Sequence, residues 1–352
     1  QSPEANDRLQ WIVGGYFETS TFRNDRTFID GADAMLPGER LSDGDTNNRT
    51  FAAFGQVSYS ITEALTLTTG LRYEKTRTTT DFEQVFTSSD GTLVIPFADF
   101  SDVEIDGSEL LPRFAIDYRL NPSLLLYGSI TRGYRPPGAS FEPISEETAV
   151  FDAETAWNYE LGLKSSWLED RLSVNAAAFY NDVANFQFPS LQGGDVLIGN
   201  ADIRIIGGEL ELIARPIPRL DLIAGLGILN AEFLGGTDIF TGASLKGNRT
   251  PFTTNLTYNL AAQYRSEMGL MGRLELVGFG NTFFDDLNTL EQDAYALVNM
   301  RLGYEFEDYG IYVFANNLFD TEYATQIFDL GTVIGATFGA PRTFGVQFRA
   351  KF

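Results

Sequence analysis

The chain closes on "RTFGVQFRAKF", residues 342–352. Taken backward in steps of two, it gives Phe352, Ala350, Phe348, Val346 and Phe344. The residues between them are Lys351, Arg349, Gln347 and Gly345. Successive side chains on a strand point to opposite faces, so one face of this segment is apolar and the other wet. The same period-2 pattern recurs upstream. In "ALTLTTGLRYEK" (64–75), Leu65, Leu67, Thr69, Leu71 and Tyr73 alternate with Thr66, Thr68, Gly70, Arg72 and Glu74. Over 155–167, Trp157, Tyr159, Leu161, Leu163 and Trp167 share a face; Asn158, Glu160, Gly162, Lys164 and Ser166 take the other. Segments 252–265 and 294–306 alternate in the same way, and no stretch carries a comparable 3.6-residue pattern. The fold is therefore expected to be all-β.

Composition removes several functions. The net charge of −23 would repel nucleic-acid phosphates. The chain holds no Cys and no His. Disulfides and thiolate metal sites are excluded, and the commonest general base and metal ligand are missing. With 29 Phe and 15 Tyr the chain is rich in aromatics, yet its mean hydropathy is slightly negative. No apolar run approaches the roughly 18–20 residues of a membrane-spanning helix. "QSPEANDRLQ", at the start, does not read as a secretory signal peptide.

The connections carry a second rhythm. Short polar turns are expected near 62–63, 121–122, 169–170, 216–218, 266–269 and 307–308. Long polar loops are expected near 21–49, 78–107, 136–154, 185–201, 234–249, 285–293 and 317–339. This alternation predicts about fourteen strands of roughly ten to fifteen residues. The predicted architecture is an antiparallel up-and-down transmembrane β-barrel, with short periplasmic turns and long extracellular loops. A membrane barrel must hide its backbone in a closed ladder and present apolar side chains to lipid. Full charges lie on the wet face of each segment and almost none on the greasy one. Trp157 and Trp167 share a face, and at about 3.3 Å per residue and a 45° tilt they sit about 23 Å apart. That is the height of the apolar band, with a ring at each water boundary. The opposing reading, a soluble β-protein with one buried face, needs a second sheet to cover its wide polar face.

Several stretches resemble the TonB-dependent outer-membrane receptors. "LQWIVGGYFE" (9–18) is similar to an early barrel strand of that family. "YGSITRGYRPPGASF" (127–141) resembles its Tyr-x-Ser…Gly-Tyr-Arg-Pro-Gly segment, and "WNYELGLKSSWLEDRLSVNAAAFYNDVANFQ" (157–187) its Tyr-Glu-x-Gly-x-Lys hairpin. "ANNLFDTEYAT" (315–325) is similar to the Asn-Leu-Phe-Asp-x-x-Tyr signature before the last strand. A terminal aromatic such as Phe352 resembles the signal by which the barrel assembly machinery recognises such proteins. The resemblance implies an outer-membrane location, a ferric siderophore or similar scarce cargo, and energy passed from TonB through a plug domain. It implies no enzymatic activity and no cofactor. The family barrel has about 22 strands, which at about 25 residues each would need about 550 residues. Residues 1–352 are accordingly expected to be the C-terminal part of such a barrel, without plug or first strands. The other readings left open are a closed fourteen-strand diffusion channel and a receptor for non-iron cargo such as cobalamin or an oligosaccharide.

In siderophore receptors, outer loops and upper wall help hold the cargo, so candidates lie at the loop-side strand ends. They are Tyr134 and Arg135, Phe186 and Gln187, and Phe283 and Asp285. An Arg there would pair with an anionic complex and a ring would stack on the ligand; the alternative is that they serve as girdle rings and local ion pairs. Asp102, Glu104 and Asp106 in "DVEIDGSE" (102–109) resemble the start of a calcium loop. No flanking helices are visible, and a solvated acidic loop is the preferred reading. A second expectation is that such acids bridge through divalent ions to lipopolysaccharide. Asn316, Asn317 and Asp320 are expected to cap a turn. Glu209 and Glu211 are expected to face the lumen, as Asn299 and Arg301 are.

Overall fold

The computed structural model describes residues 8–31, 36–140, 149–192, 195–329, 331 and 333–351. Fourteen strands form one antiparallel sheet in chain order. They are β1 (Leu9–Asp30), β2 (Gly38–Ser60), β3 (Leu65–Ser88), β4 (Val94–Asn121), β5 (Leu124–Arg135), β8 (Glu154–Trp167) and β9 (Leu172–Gln192). The sheet continues through β10 (Asp195–Ala214), β11 (Leu220–Phe233), β12 (Leu256–Arg265), β13 (Leu270–Phe279), β16 (Tyr295–Glu305), β17 (Tyr309–Asn316) and β20 (Thr343–Ala350). Three two-strand hairpins rise from the loops. They are β6 (Gly138–Ala139) with β7 (Val150–Phe151), β14 (Thr282–Phe283) with β15 (Glu291–Gln292), and β18 (Ala324–Asp329) with β19 (Ile334–Phe338). Among the described residues no ladder joins β1 to β20, so both remain edges.

The six short turns fall where the polar dipeptides put them, at 61–64, 122–123, 168–171, 215–219, 266–269 and 306–308. In the third, Leu168, Glu169 and Asp170 all take positive φ, tightening the link from Trp167 to Leu172. Beside these turns stand exposed rings on the apolar face: Tyr59, Tyr118, Trp167, Tyr264, Phe306 and Tyr309. They form the aromatic girdle of one membrane boundary. Between the boundaries the outward face is apolar, with Leu161 at 71% exposure. Phe344, Val346 and Phe348 alternate on that face of β20 at 70%, 69% and 68% exposure. Phe352, the expected assembly signal, lies outside the described residues. At the other boundary Trp157 is half-buried, with the Arg132 guanidinium 5.4 Å from its ring centroid.

The long-loop expectation is corrected on one side of the sheet. Segments 21–30, 38–49, 78–88 and 94–107 continue β1 to β4, which reach 22 to 28 residues. Segments 185–192 and 195–201 likewise extend β9 and β10. The physical reason lies in the inward residues of β3. Thr76, Thr78, Thr80 and Gln84 are buried and bonded across the ladder, Thr78 Oγ1 donating to Asn48 Oδ1 at 2.7 Å and Gln84 Nε2 to Ser42 Oγ at 2.8 Å. Polar text becomes strand when its side chains satisfy one another. The β12 expectation also shortens. Residues 252–255 precede the strand, and Phe252 sits at φ 57°, outside the extended region. Of the 136–154, 21–49, 185–201 and 317–339 loops, residues 141–148, 32–35, 193–194, 330 and 332 lie outside the described set.

The principal buried core sits at the loop-side end, away from the turns. Val183, Phe188, Ala201, Ile203, Phe233 and Leu245 pack together, uniting β9, β10, β11 and the loop after β11. Phe188 and Phe233 meet edge to face at 5.1 Å.

Candidate functional site at the loop-side mouth

The wet face of the wall is a grid of paired polar groups. Arg72 donates to Glu74 at 2.6 Å, Asn175 to Glu211 at 3.1 Å, and Asn299 approaches Glu275 at 3.5 Å. Glu209 and Glu211 line a luminal recess of about 400 Å³ together with Tyr127, Lys164, Asn259 and Phe279. Arg301 lies over the Tyr312 ring at 4.3 Å and bonds to Gln347. These are the lumen-facing positions that alternation assigned. Such a wall can hydrogen-bond a plug or a solute.

The expected site residues divide into three places. Tyr134 brings its hydroxyl against Thr76 and over Gly107, where a Cβ would have no room. Arg135 is exposed one residue further out. Phe186 packs on the loop-side core and stacks on Phe188 at 6.5 Å. Gln187 is buried at 3% exposure. Its Nε2 donates to the carbonyls of Pro136 and Asp152, both at 2.9 Å, and its backbone N–H donates to Glu154 Oε2. Phe283 carries the Arg249 guanidinium 4.5 Å above its ring. Asp285 caps its own loop, accepting from the N–H groups of Thr289 and Leu290 and from the Thr289 hydroxyl.

The three acids of the calcium reading share one strand. Asp102, Glu104 and Asp106 lie at alternate positions of β4, with Asp102 at φ 55°. Asp106 forms a two-pronged pair with Arg77, at 2.9 and 3.2 Å, and this holds its carboxyl below the usual range. Among the described residues no group of three or more acidic, His or Cys side chains is arranged to hold a metal ion. Asp90, at the β3–β4 tip, is a turn residue. Bonds from the Ser88 hydroxyl and from the N–H and hydroxyl of Thr92 pull its pKa down to about 2. Asn317 and Asp320 do cap the turn after β17, Asn317 Oδ1 accepting from Thr321 N and Asp320 Oδ1 from Arg342 N.

Two features escaped the sequence. Phe279, Tyr295 and Tyr323 stack as a column, with centroid spacings of 5.1 and 4.5 Å. The first two end neighbouring strands on the luminal face. Aromatics at loop-side strand ends were the available signal. Asp238 and Asp286 are buried at 4% and 6% exposure, and Asp238 takes a bond from Ser190 Oγ at 3.3 Å. Burial, reinforced by Asp238, pushes the Asp286 carboxyl above its ordinary range, against a Ser190 hydrogen bond that lowers it.

A long antiparallel wall with tight turns and an aromatic girdle at one end, an apolar outside, a polar inside and folded loops at the other end is the wall of an outer-membrane β-barrel. A family model, "TonB dependent receptor-like, beta-barrel", matches residues 3–318, and the chain belongs to that family. The pesticin receptor of Yersinia enterocolitica is 27% identical over 319 residues, covering 88% of this chain and 45% of its own length. The ferric-pyoverdine M114 receptor PbuA of a Pseudomonas species is 26% identical over 322 residues, covering 88% of this chain and 37% of its own. Among solved structures, the ferric yersiniabactin uptake receptor FyuA from Yersinia pestis superposes with a TM-score of 0.82 at 24% identity. It covers 99% of this chain and 52% of its own. The chain thus spans about half the length, or less, of the relatives it matches. The family is one of outer-membrane receptors rather than enzymes.

Proposed function

We propose that these fourteen strands are the C-terminal portion of a TonB-dependent receptor that takes up a ferric siderophore. The observation that carries the reading is the family match over 3–318. Support comes from relatives whose names describe pesticin and ferric-pyoverdine receptors. The unpaired edges of β1 and β20 fit a larger cylinder completed by strands from elsewhere in the whole protein. In that cylinder the luminal grid of Lys164, Glu209, Glu211, Glu275 and Arg301 faces a plug. Cargo binds at the loop-side mouth, and energy from the TonB complex moves the plug to release it inward. The chain itself performs no bond-making chemistry, and its surroundings are outer-membrane lipid and lipopolysaccharide. A closed fourteen-strand channel draws no support from a sheet whose two edge strands stay apart among the described residues.

The test is growth of cells with and without the full-length gene on a panel of ferric chelates as sole iron source. Loss of growth on one chelate, restored by the gene, is expected. Unchanged growth on every chelate would remove iron as the cargo.

A further inference from the structure

Above the membrane, the inner face of β2 and β3 is roofed by the β6–β7 hairpin, and a cavity of about 260 Å³ lies between them. Its floor is Thr46 and Asn48 of β2 with Thr78 and Thr80 of β3; Phe82 and Phe151 flank it. None of the twelve described residues that line it carries a charge, in a chain with 73 charged side chains, the sum of 25 basic and 48 acidic. Two floor contacts are already made. Thr78 donates to Asn48 Oδ1 at 2.7 Å, and the Thr46 and Thr80 hydroxyls share a 2.8 Å bond. These contacts fix the Asn48 amide with its oxygen toward β3. Neither N–H of that amide has a partner among the described residues, so the floor offers two free N–H donors beside its hydroxyls.

The roof is built for closeness. The Phe151 ring lies on Gly138, where a Cβ would come within 2.6 Å of it. Ser140 is buried at 7% exposure, its N–H donates to Ala149 O at 2.8 Å, and its hydroxyl has no partner among the described residues. Gln187 fastens the hairpin's two stems through Pro136 and Asp152, and Asn200 binds Asp152 as well. Gln187 is therefore a positioning residue for this cavity.

We infer that this cavity is a binding subsite for a single uncharged planar ring carrying a hydrogen-bond acceptor. An apolar cavity of about 150 Å³ suffices for benzene, so the space here takes one substituted ring. Phenylalanine faces stack on a ring, and the Asn48 N–H groups meet its acceptor. Among the described residues an ionised group would meet no counter-charge in the lining, and its desolvation cost would go unoffset. Assigning the ring to an uncharged arm of the cargo rests on the receptor reading; the subsite itself does not.

The test is saturation-transfer NMR on the full chain in detergent micelles, against empty micelles, with benzamide, benzoate and methyl glucoside as probes. Benzamide is expected to show transfer, and its charged isostere benzoate and the non-planar glucoside much less. Asn48→Leu should weaken benzamide by roughly three- to tenfold, the loss of one or two hydrogen bonds, with Glu63→Gln, exposed in the turn between β2 and β3, unchanged. Equal transfer to benzoate, preference for the glucoside, or no benzamide signal in the unsubstituted chain would overturn the assignment. That comparison needs no variant to fold. Benzamide binding without any iron-uptake phenotype would retain the subsite and remove the receptor reading; the opposite result would do the reverse.

Discussion

Gln187 of β9 donates its side-chain amide to the Pro136 carbonyl at 2.9 Å, across 51 positions of sequence. A second N–H reaches Asp152 O, so one buried side chain holds both stems of the hairpin beyond β5. Removing a buried donor leaves carbonyls unsatisfied, at about 1–3 kcal/mol. Gln187→Ala is expected to raise hydrogen exchange at 149–152 while leaving the β12–β13 ladder unchanged. Gln187→Glu should be worse, because a carboxylate cannot donate and would lie beside Glu154. Exchange-mass spectrometry on the two variants checks both.

Leu161 stands on the outward face between Trp157 and Trp167, 71% exposed and paired with Gly128. An Arg at such a mid-band position costs about 2–4 kcal/mol in lipid. Leu161→Arg is therefore expected to lower the urea midpoint in vesicles substantially. Glu209→Arg, on the luminal face, should cost much less. Equal losses would mean that the outward face does not meet hydrocarbon.

The sequence was most legible where chemistry is local. A turn such as Asn121-Pro122 declares itself, because Pro cannot continue a ladder and Asn121 Oδ1 accepts from Ser123 N. Face assignment was equally readable, since Leu161 and Glu160 differ in solvent preference whatever surrounds them. The extended strands were hidden by polarity. "KTRTTTDF" (75–82) reads as a loop until Thr76, Thr78 and Thr80 are recognised as a β-branched row on one face. Their partners Asn48 and Thr46 lie about thirty residues away. The cavity they floor, and the buried Asp238 and Asp286, depend on contacts between loops that no spacing rule encodes.

Asp286 contributes a pH dependence to the loop-side end. Burial, then the Asp238 charge, outweigh its Ser190 bond and raise its folded-state pKa above that of the unfolded chain. The stabilisation is full below about pH 4, the ordinary carboxylate value. It is lost as pH climbs through the raised folded-state value. Exchange protection in 234–255 and 284–290 is thus expected to fall from acid to neutral and alkaline pH. Asp286→Asn, uncharged at every pH, should flatten that profile. A profile unchanged by Asp286→Asn would show that another group titrates there.

Tyr127 of β5 lies flat on Gly162 of β8, so closely that an added Cβ would strike the ring. The same ring carries the Lys164 ammonium at 5.8 Å. Gly162→Val must push Tyr127 off its seat, and overpacking of this kind costs about 1–3 kcal/mol. Because the damage runs through one ring, removing that ring should relieve it. In the pair Tyr127→Ala with Gly162→Val, the combined loss is expected to fall below the sum of the single losses, by more than about 0.5 kcal/mol. Four urea midpoints in the same vesicles close the cycle. Simple additivity would show that the ring and the glycine do not support each other, and that Gly162 is needed for backbone reasons alone.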